Sequence, residues 1–227
     1  MTTTSFFRHL LMIITAIIPL VYIIITWEHI PATIPLHFDI SGKPDSFGSK
    51  SMIWLGSGIL SGVSILVYFL LNNLHKIDPK RAAKQNPLLF GKIAVAMVFF
   101  LAALNFIIIL SETGNGSIME RGLMPFLGLM FAFLGNVMIH IKPNYFFGIR
   151  VPWTLSSDDN WRKTHQLGGK LWFAGGLLIV LLSFFFSPVV MNHVMMALVA
   201  IMVIIPVAYS FLLFKKEQKL HQDVESH

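Results

Sequence analysis

The sequence predicts an all-α, polytopic membrane protein with six transmembrane helices and both termini in the cytoplasm. Three observations carry this reading. Hydrophobic residues make up 55% of the 227-residue chain and charged residues 12%, against about 25% charged in a soluble domain. The apolar residues gather in six runs, near 7–27, 52–72, 91–111, 122–141, 170–187 and 191–214. Each is close to the roughly 20 residues that cross hydrocarbon as a helix. The basic residues then alternate between the connections on one side and those on the other.

Helix is the only solution for single segments of this kind, because in lipid the backbone must satisfy its own hydrogen bonds. The first run, from Phe6 to Thr26, is longer than a signal-peptide core and lacks an A-x-A cleavage site, so it is expected to be retained. Pro19 lies within it and Pro206 within the sixth, where each can kink the helix. The second run carries Gly56, Gly58, Ser61 and Gly62, and Gly58 and Gly62 have small-xxx-small spacing. The fourth places Pro125 in an expected first turn, followed by Gly128, Ala132 and Gly135. The fifth is short and is entered through Gly168, Gly169, Gly175 and Gly176. Small residues of this kind predict close packing among the second, fourth and fifth helices.

The 17 bases and 11 acids all lie at or beyond the run ends. A proton pump or ion-coupled carrier keeps an ionisable group at membrane depth, so this distribution argues against that class. The deep polar side chains are neutral: Asn105, Asn136, Tyr22, Tyr68 and Tyr209. Hydrogen bonding between helices is their expected role, and a polar path for a small molecule or lipid is the alternative. All bases except Lys43, Lys50 and Arg121 fall at the N-terminus, in connections 73–92 and 142–170, and in the tail. The positive-inside rule puts those regions in the cytoplasm. The net charge of +6 thus reads as membrane sidedness, with no direct nucleic-acid partner expected. The expected organisation is a helical hairpin with an outward loop (1–72), a basic loop with the third span (73–121), and a C-terminal segment (122–227) with its loop at 142–170. Cysteine is absent, which excludes disulfides and thiolate metal sites. There is no H-E-x-x-H and no G-x-S-x-G, and adjacent Asp158 and Asp159 diverge on a helix. An enzyme is not expected, and neither is a cofactor.

Two connections hold more than a turn needs. The cytoplasmic one reads FGIRVPWTLSSDDNWRKTHQLGGK. Gly148 permits a bend with positive φ, and Val151 before Pro152 reads as extended. Ser156 or Ser157 can cap a short helix, with Asp158 and Asp159 in its first turn and Arg162, Lys163 and His165 toward its end. Gly168 and Gly169 can stop that helix or hinge it into the fifth span. Trp161 and His165, four apart, share a face. Trp153 and Trp161 read as interfacial indoles. The tight order Gly148, Arg150, Pro152, Thr154 looks like a fixed backbone around one guanidinium, able to clamp a carboxylate or helix-end carbonyls.

The outward loop reads IPLHFDISGKPDSFGSK. Ser41-Gly42 and Pro44-Asp45 are turn signals. With 35–39 extended, His37 and Asp39 point to one side. A compact loop follows, with Asp39 capping the turn and His37 satisfying it. A metal site adding His29 and Asp45 meets no established ligand spacing, so none is expected. A docking surface for an extracellular peptide is the functional reading.

The segment NYFFGIRVPWTLSSDDNWRKTH resembles the signature of the SdpI family of bacterial membrane proteins, N-x-x-x-G-[IL]-R-T-P-W-T-L, a gap, W, then a basic or His-containing end. Asn144, Gly148, Ile149, Arg150, Pro152, Trp153, Thr154, Leu155, Trp161 and His165 match it. Val151 stands where that family has Thr. The outward loop resembles the small domain of unknown function that precedes this segment, through Pro35, His37, Phe38, Asp39, Gly42, Pro44 and Asp45. The resemblance implies immunity against a secreted, membrane-active toxic peptide, met by His37, Asp39, Gly42, Pro44 and Asp45. It also implies retention of a cytoplasmic transcriptional repressor, met by Asn144, Gly148, Arg150, Pro152, Trp153, Thr154, Trp161 and His165. A transporter or lipid-binding protein is the rival, and would need a cavity lined by Asn105, Asn136 or tyrosines.

Overall fold

The computed structural model describes residues 3–74, 87–114, 116–144 and 146–225. In chain order the elements are α1 (Thr3–Thr26), a short 3₁₀ turn (Trp27–His29), β1 (Thr33–Phe38), β2 (Pro44–Ser49), α2 (Met52–Asn72), α3 (Pro87–Glu112), α4 (Gly116–Met138), α5 (Pro152–Ser156), α6 (Asp158–Ser183) and α7 (Pro188–Glu225). Among the described residues six helices are long and apolar enough to cross a membrane. Lys76, Lys80, Arg81 and Lys84, which carry much of the predicted basic loop, lie outside the described residues.

The chain forms two compact units. The first contains α1, the strands, α2, α3 and the start of α4 up to Met124; the second holds α4 from Pro125 onward through α7. In the first unit α1, α2 and α3 pack on one another. Met12, Ala16, Tyr68, Ala94 and Val98 form one buried cluster, and Ile23, Ile30, Ile34, Ile53 and Ile109 a second. The contact between α2 and α3 is polar at its centre. Asn105 donates its amide to the Ser57 carbonyl (3.1 Å) and the Ser61 hydroxyl (3.3 Å), and accepts from the Ser57 hydroxyl (2.8 Å). This is the interhelical bonding expected of a neutral amide in lipid. Asn136, by contrast, is exposed.

Three local expectations need correction. The all-α reading omits a sheet: β1 and β2 pair as an antiparallel hairpin, Thr33 opposite Ser49 and Pro35 opposite Phe47, with irregular register around His37. Ile34 explains its attachment, because it is fully buried in the second cluster of the unit. Gly56, Gly58 and Gly62 do not pack closely, since a methyl group on any of them would meet nothing within 4 Å. The small residues that α2 buries are Ser57, Ser61 and Ser64. Finally, α4 begins at Gly116, so Pro125 lies inside it rather than in its first turn.

In the second unit α6 packs along α7, and α4 approaches α6 through glycine. A methyl group at Gly128 would sit 2.7 Å from the Gly176 carbonyl oxygen, and one at Gly169 would sit 2.7 Å from the Gly135 carbonyl oxygen. Backbones this close tolerate no side chain, which is how helices without a hydrophobic driving force between them gain contact in lipid. The same packing explains another departure. α6 runs unbroken from Asp158 to Ser183, so Gly168 and Gly169 neither stop nor hinge it, and Arg162, Lys163 and His165 lie near its start. Glycine that is buried against neighbours on this scale keeps a helix whole where an exposed pair would end it.

Candidate functional site

The hairpin of the first unit is exposed apart from its anchor. Asp39 accepts from the Ser41 backbone N–H (2.8 Å), the Ser41 hydroxyl (2.6 Å) and the Lys43 N–H (2.9 Å). This Asx-type turn places Gly42 at φ 81. The Ser41 hydroxyl first, and the Lys43 amide second, hold the Asp39 carboxyl below its ordinary value. His37 does not join that turn, as the sequence reading expected. Its Nδ1 pairs across the hairpin with Asp45 at 2.6 Å, where the irregular register turns it. Lys50 closes the foot, with its Nζ 4.4 Å above the Trp27 ring. Leu36, Ile40 and Phe47 stand exposed on the hairpin. Among the described residues no group of three His, Asp or Glu side chains could hold a metal.

The signature segment of the second unit is a knot closed by its own side chains. Asn144 is fully buried. Its Oδ1 accepts from the Phe146 and Phe147 amides (2.8 and 2.7 Å), and its Nδ2 donates to the Lys142 and Phe147 carbonyls (3.0 and 3.2 Å). The turn this makes delivers Gly148 at φ 111, and a methyl group there would strike the His165 ring. Only glycine fits, for conformation and for space. The Ile149 amide then donates to His165 Nε2 (2.9 Å), which obliges Nδ1 to carry the proton donated to the Trp161 carbonyl (2.8 Å). His165 is thereby a neutral imidazole of one tautomer, stacked on the Trp161 ring at 4.0 Å between centroids. Trp161 is buried, and its indole N–H donates to the Ile141 carbonyl at the end of the preceding span (2.8 Å). It is a core residue rather than an interfacial anchor.

Thr154, also fully buried, accepts from the Val151 amide (3.1 Å) and donates to the Ile149 carbonyl (2.8 Å). Val151 keeps the extended backbone required before proline, and Pro152 opens α5 at its N-terminus. Ser157 caps α6, its hydroxyl accepting the Asn160 N–H (3.2 Å). Two groups then fasten the knot to α7. The Trp153 indole donates to the Ser210 hydroxyl (2.7 Å), and the Asn160 amide to the Ser210 carbonyl (2.9 Å). Thr164 completes the set by donating to Asn160 Oδ1 (3.0 Å).

The predicted residues therefore divide. Asn144, Gly148, Thr154, Trp161 and His165 come together as the interior of the knot. Arg150 and Pro152 are exposed, and Trp153 is half-buried with its ring against Phe211. Arg162 and Lys163 both pair with Asp159 at 2.6 Å. A cleft of about 450 Å³ opens on one side of the knot, lined by His140, Lys142, Pro143, Asp158, Arg162 and Gln166 over the Trp161 and His165 rings. Sequence reasoning did not single out Asn160, Thr164 or Ser210. The first two had a signal, because Ser157, Asn160, Thr164 and Gly168 recur at three- and four-residue spacing on one helix face. Ser210 had none, being a lone hydroxyl in an apolar run.

Comparison with known proteins falls on these same two regions. No solved structure matches the chain. The Immunity protein SdpI of Bacillus subtilis (strain 168) is 24% identical over 212 residues, covering 92% of this chain and 97% of its own length. Residues 14–60, which include the hairpin, match the Domain of unknown function (DUF1648). Residues 140–210, from the end of the fourth span to the serine that fastens the knot, carry a domain matching the SdpI/YfhL protein family.

Proposed function

We propose that this multi-pass membrane protein confers immunity against a secreted, membrane-active peptide and acts as its receptor, without enzymatic chemistry. The observation that carries the reading is the coincidence of the SdpI/YfhL match with the buried knot. A loop that only joined two spans would need a turn and solvated side chains. This one spends Asn144, Thr154, Trp161 and His165 on fixing a single backbone shape. The similarity to an immunity protein over most of both chains supports the same reading.

With both termini in the cytoplasm, as the positive-inside rule requires, the hairpin faces outward. Its exposed Leu36, Ile40 and Phe47, with His37, Asp39, Gly42, Pro44 and Asp45, meet the peptide. The knot faces inward, and Arg150, Pro152 and Trp153 on its surface meet a cytoplasmic partner, a repressor in the fullest form of the proposal. The transporter alternative draws no support from Asn105, whose amide is used by Ser57 and Ser61.

The test is to express the chain in a peptide-sensitive host and challenge it with candidate membrane-active peptides. Protection is expected from the wild type and not from Arg150→Ala, with both present in the membrane in equal amounts. Protection that is absent from the wild type, or undiminished in a well-inserted Arg150→Ala, overturns the proposal.

A further inference from the structure

A second cavity, in the first unit, has no place in the reading above. It measures about 560 Å³ and is lined by Arg8, Asn72, Leu88, Gly91, Lys92, Val95 and Ala96. Its polar lining is two cations, Arg8 and Lys92, and the Asn72 amide. Arg8 and Asn72 converge above Gly91, where a methyl group would lie 3.9 Å from both Arg8 Nη1 and Asn72 Oδ1. The bare glycine keeps the floor open. Among the described residues no carboxylate lines the cavity, and neither Arg8 nor Lys92 is in an ion pair. The Asn72 amide donates to the Tyr68 carbonyl (2.8 Å), which fixes its side chain. Leu88, Val95 and Ala96, at helical spacing on α3, form an apolar wall. The cavity sits where the apolar runs of α1 and α3 begin and that of α2 ends. It is therefore at the edge of the hydrocarbon, and the first turns of α3 add the positive end of a helix dipole.

We propose that this cavity binds the headgroup of an anionic phospholipid, with its phosphate between Arg8 and Lys92 and an acyl chain along Leu88, Val95 and Ala96. Two cations with no carboxylate among the described lining residues select an anion. An apolar wall continuous with the bilayer selects one that is attached to a hydrocarbon chain. A zwitterionic headgroup brings its own cation to the two already present, and is disfavoured. The shared chemistry is a phosphate, so free phosphate is the source to be distinguished.

The experiment is native mass spectrometry of the full chain released from micelles containing equal phosphatidylglycerol and phosphatidylcholine, with and without inorganic phosphate. Retention of phosphatidylglycerol is expected to exceed that of phosphatidylcholine by about thirtyfold, the scale set by two juxtamembrane cations against an anionic lipid. The doubly substituted Arg8→Gln, Lys92→Gln chain should lose that preference. Gly91→Leu, which fills the floor and leaves the charge unchanged, should lose it too. Lys216→Gln, a cation on the exposed end of α7, should keep it. Equal retention of the two lipids, a preference untouched by both cavity variants, or loss of the lipid to millimolar phosphate in the wild type each overturns the proposal.

Discussion

The hairpin and the knot are built by opposite rules. The side-chain bonds of the hairpin turn are made within eight residues and in solvent: Asp39 to Ser41 and Lys43, His37 to Asp45. An exposed pair of this kind contributes about 0.2–1 kcal/mol. The knot adds to its local bonds others that are buried or half-buried and reach further along the chain, from Trp161 to Ile141, His165 to Ile149, and Trp153 to Ser210. Leaving one such group unsatisfied costs about 1–3 kcal/mol. The contrast teaches where sequence change is tolerated. The hairpin can alter its exposed face while Ile34 holds it down. The knot can alter only Arg150, Pro152 and their exposed neighbours.

Substitutions can break or sharpen this contrast. The largest effect is expected from Gly148→Ala, which combines positive φ with collision against His165. A loss of about 3 kcal/mol or more is expected, read as a lowered thermal transition or absence from the membrane. A variant as stable as wild type would dissolve the distinction. Trp153→Phe keeps an aromatic ring near Phe211 and removes the bond to Ser210 together with part of the indole. About 1 kcal/mol should be lost in chemical denaturation. A smaller change, within about 0.5 kcal/mol, is expected for His37→Ala, because its partner Asp45 stays solvated.

The finest test is pH. The Asp39 carboxyl lies below its ordinary value in the folded hairpin, mainly through the Ser41 hydroxyl. Its contribution is complete above the unfolded value and is lost as pH falls through the lowered folded one. The Ser41 and Lys43 amides should therefore remain protected from hydrogen exchange at a pH where free aspartate is half protonated. Loss of protection at or above that pH would contradict the turn.

Much of this was legible in the residues. Run length and apolarity gave six candidate spanning helices, since the thickness of the bilayer imposes both. Asp39 as the turn cap and Trp161 stacked with His165 also follow from local spacing. The hairpin was not legible as a sheet, because Pro35 and Pro44 interrupt any alternation and only Ile34 is buried. The inward turn of Trp161 was hidden as well. An indole beside bases near a span end looks the same whether it faces headgroups or a carbonyl such as that of Ile141, and only the tertiary fold separates the two. The unbroken α6 was hidden for a related reason: Gly168-Gly169 reads locally as a helix end, and the helices pressed against it lie far away in sequence.

Ser210 serves the knot twice, taking the Trp153 indole on its hydroxyl and the Asn160 amide on its carbonyl. The last helix is thus a clasp as well as a membrane span. A reporter appended after the tail leaves that clasp shut, whereas a chain cut short of this serine would reach the bilayer with the knot undone.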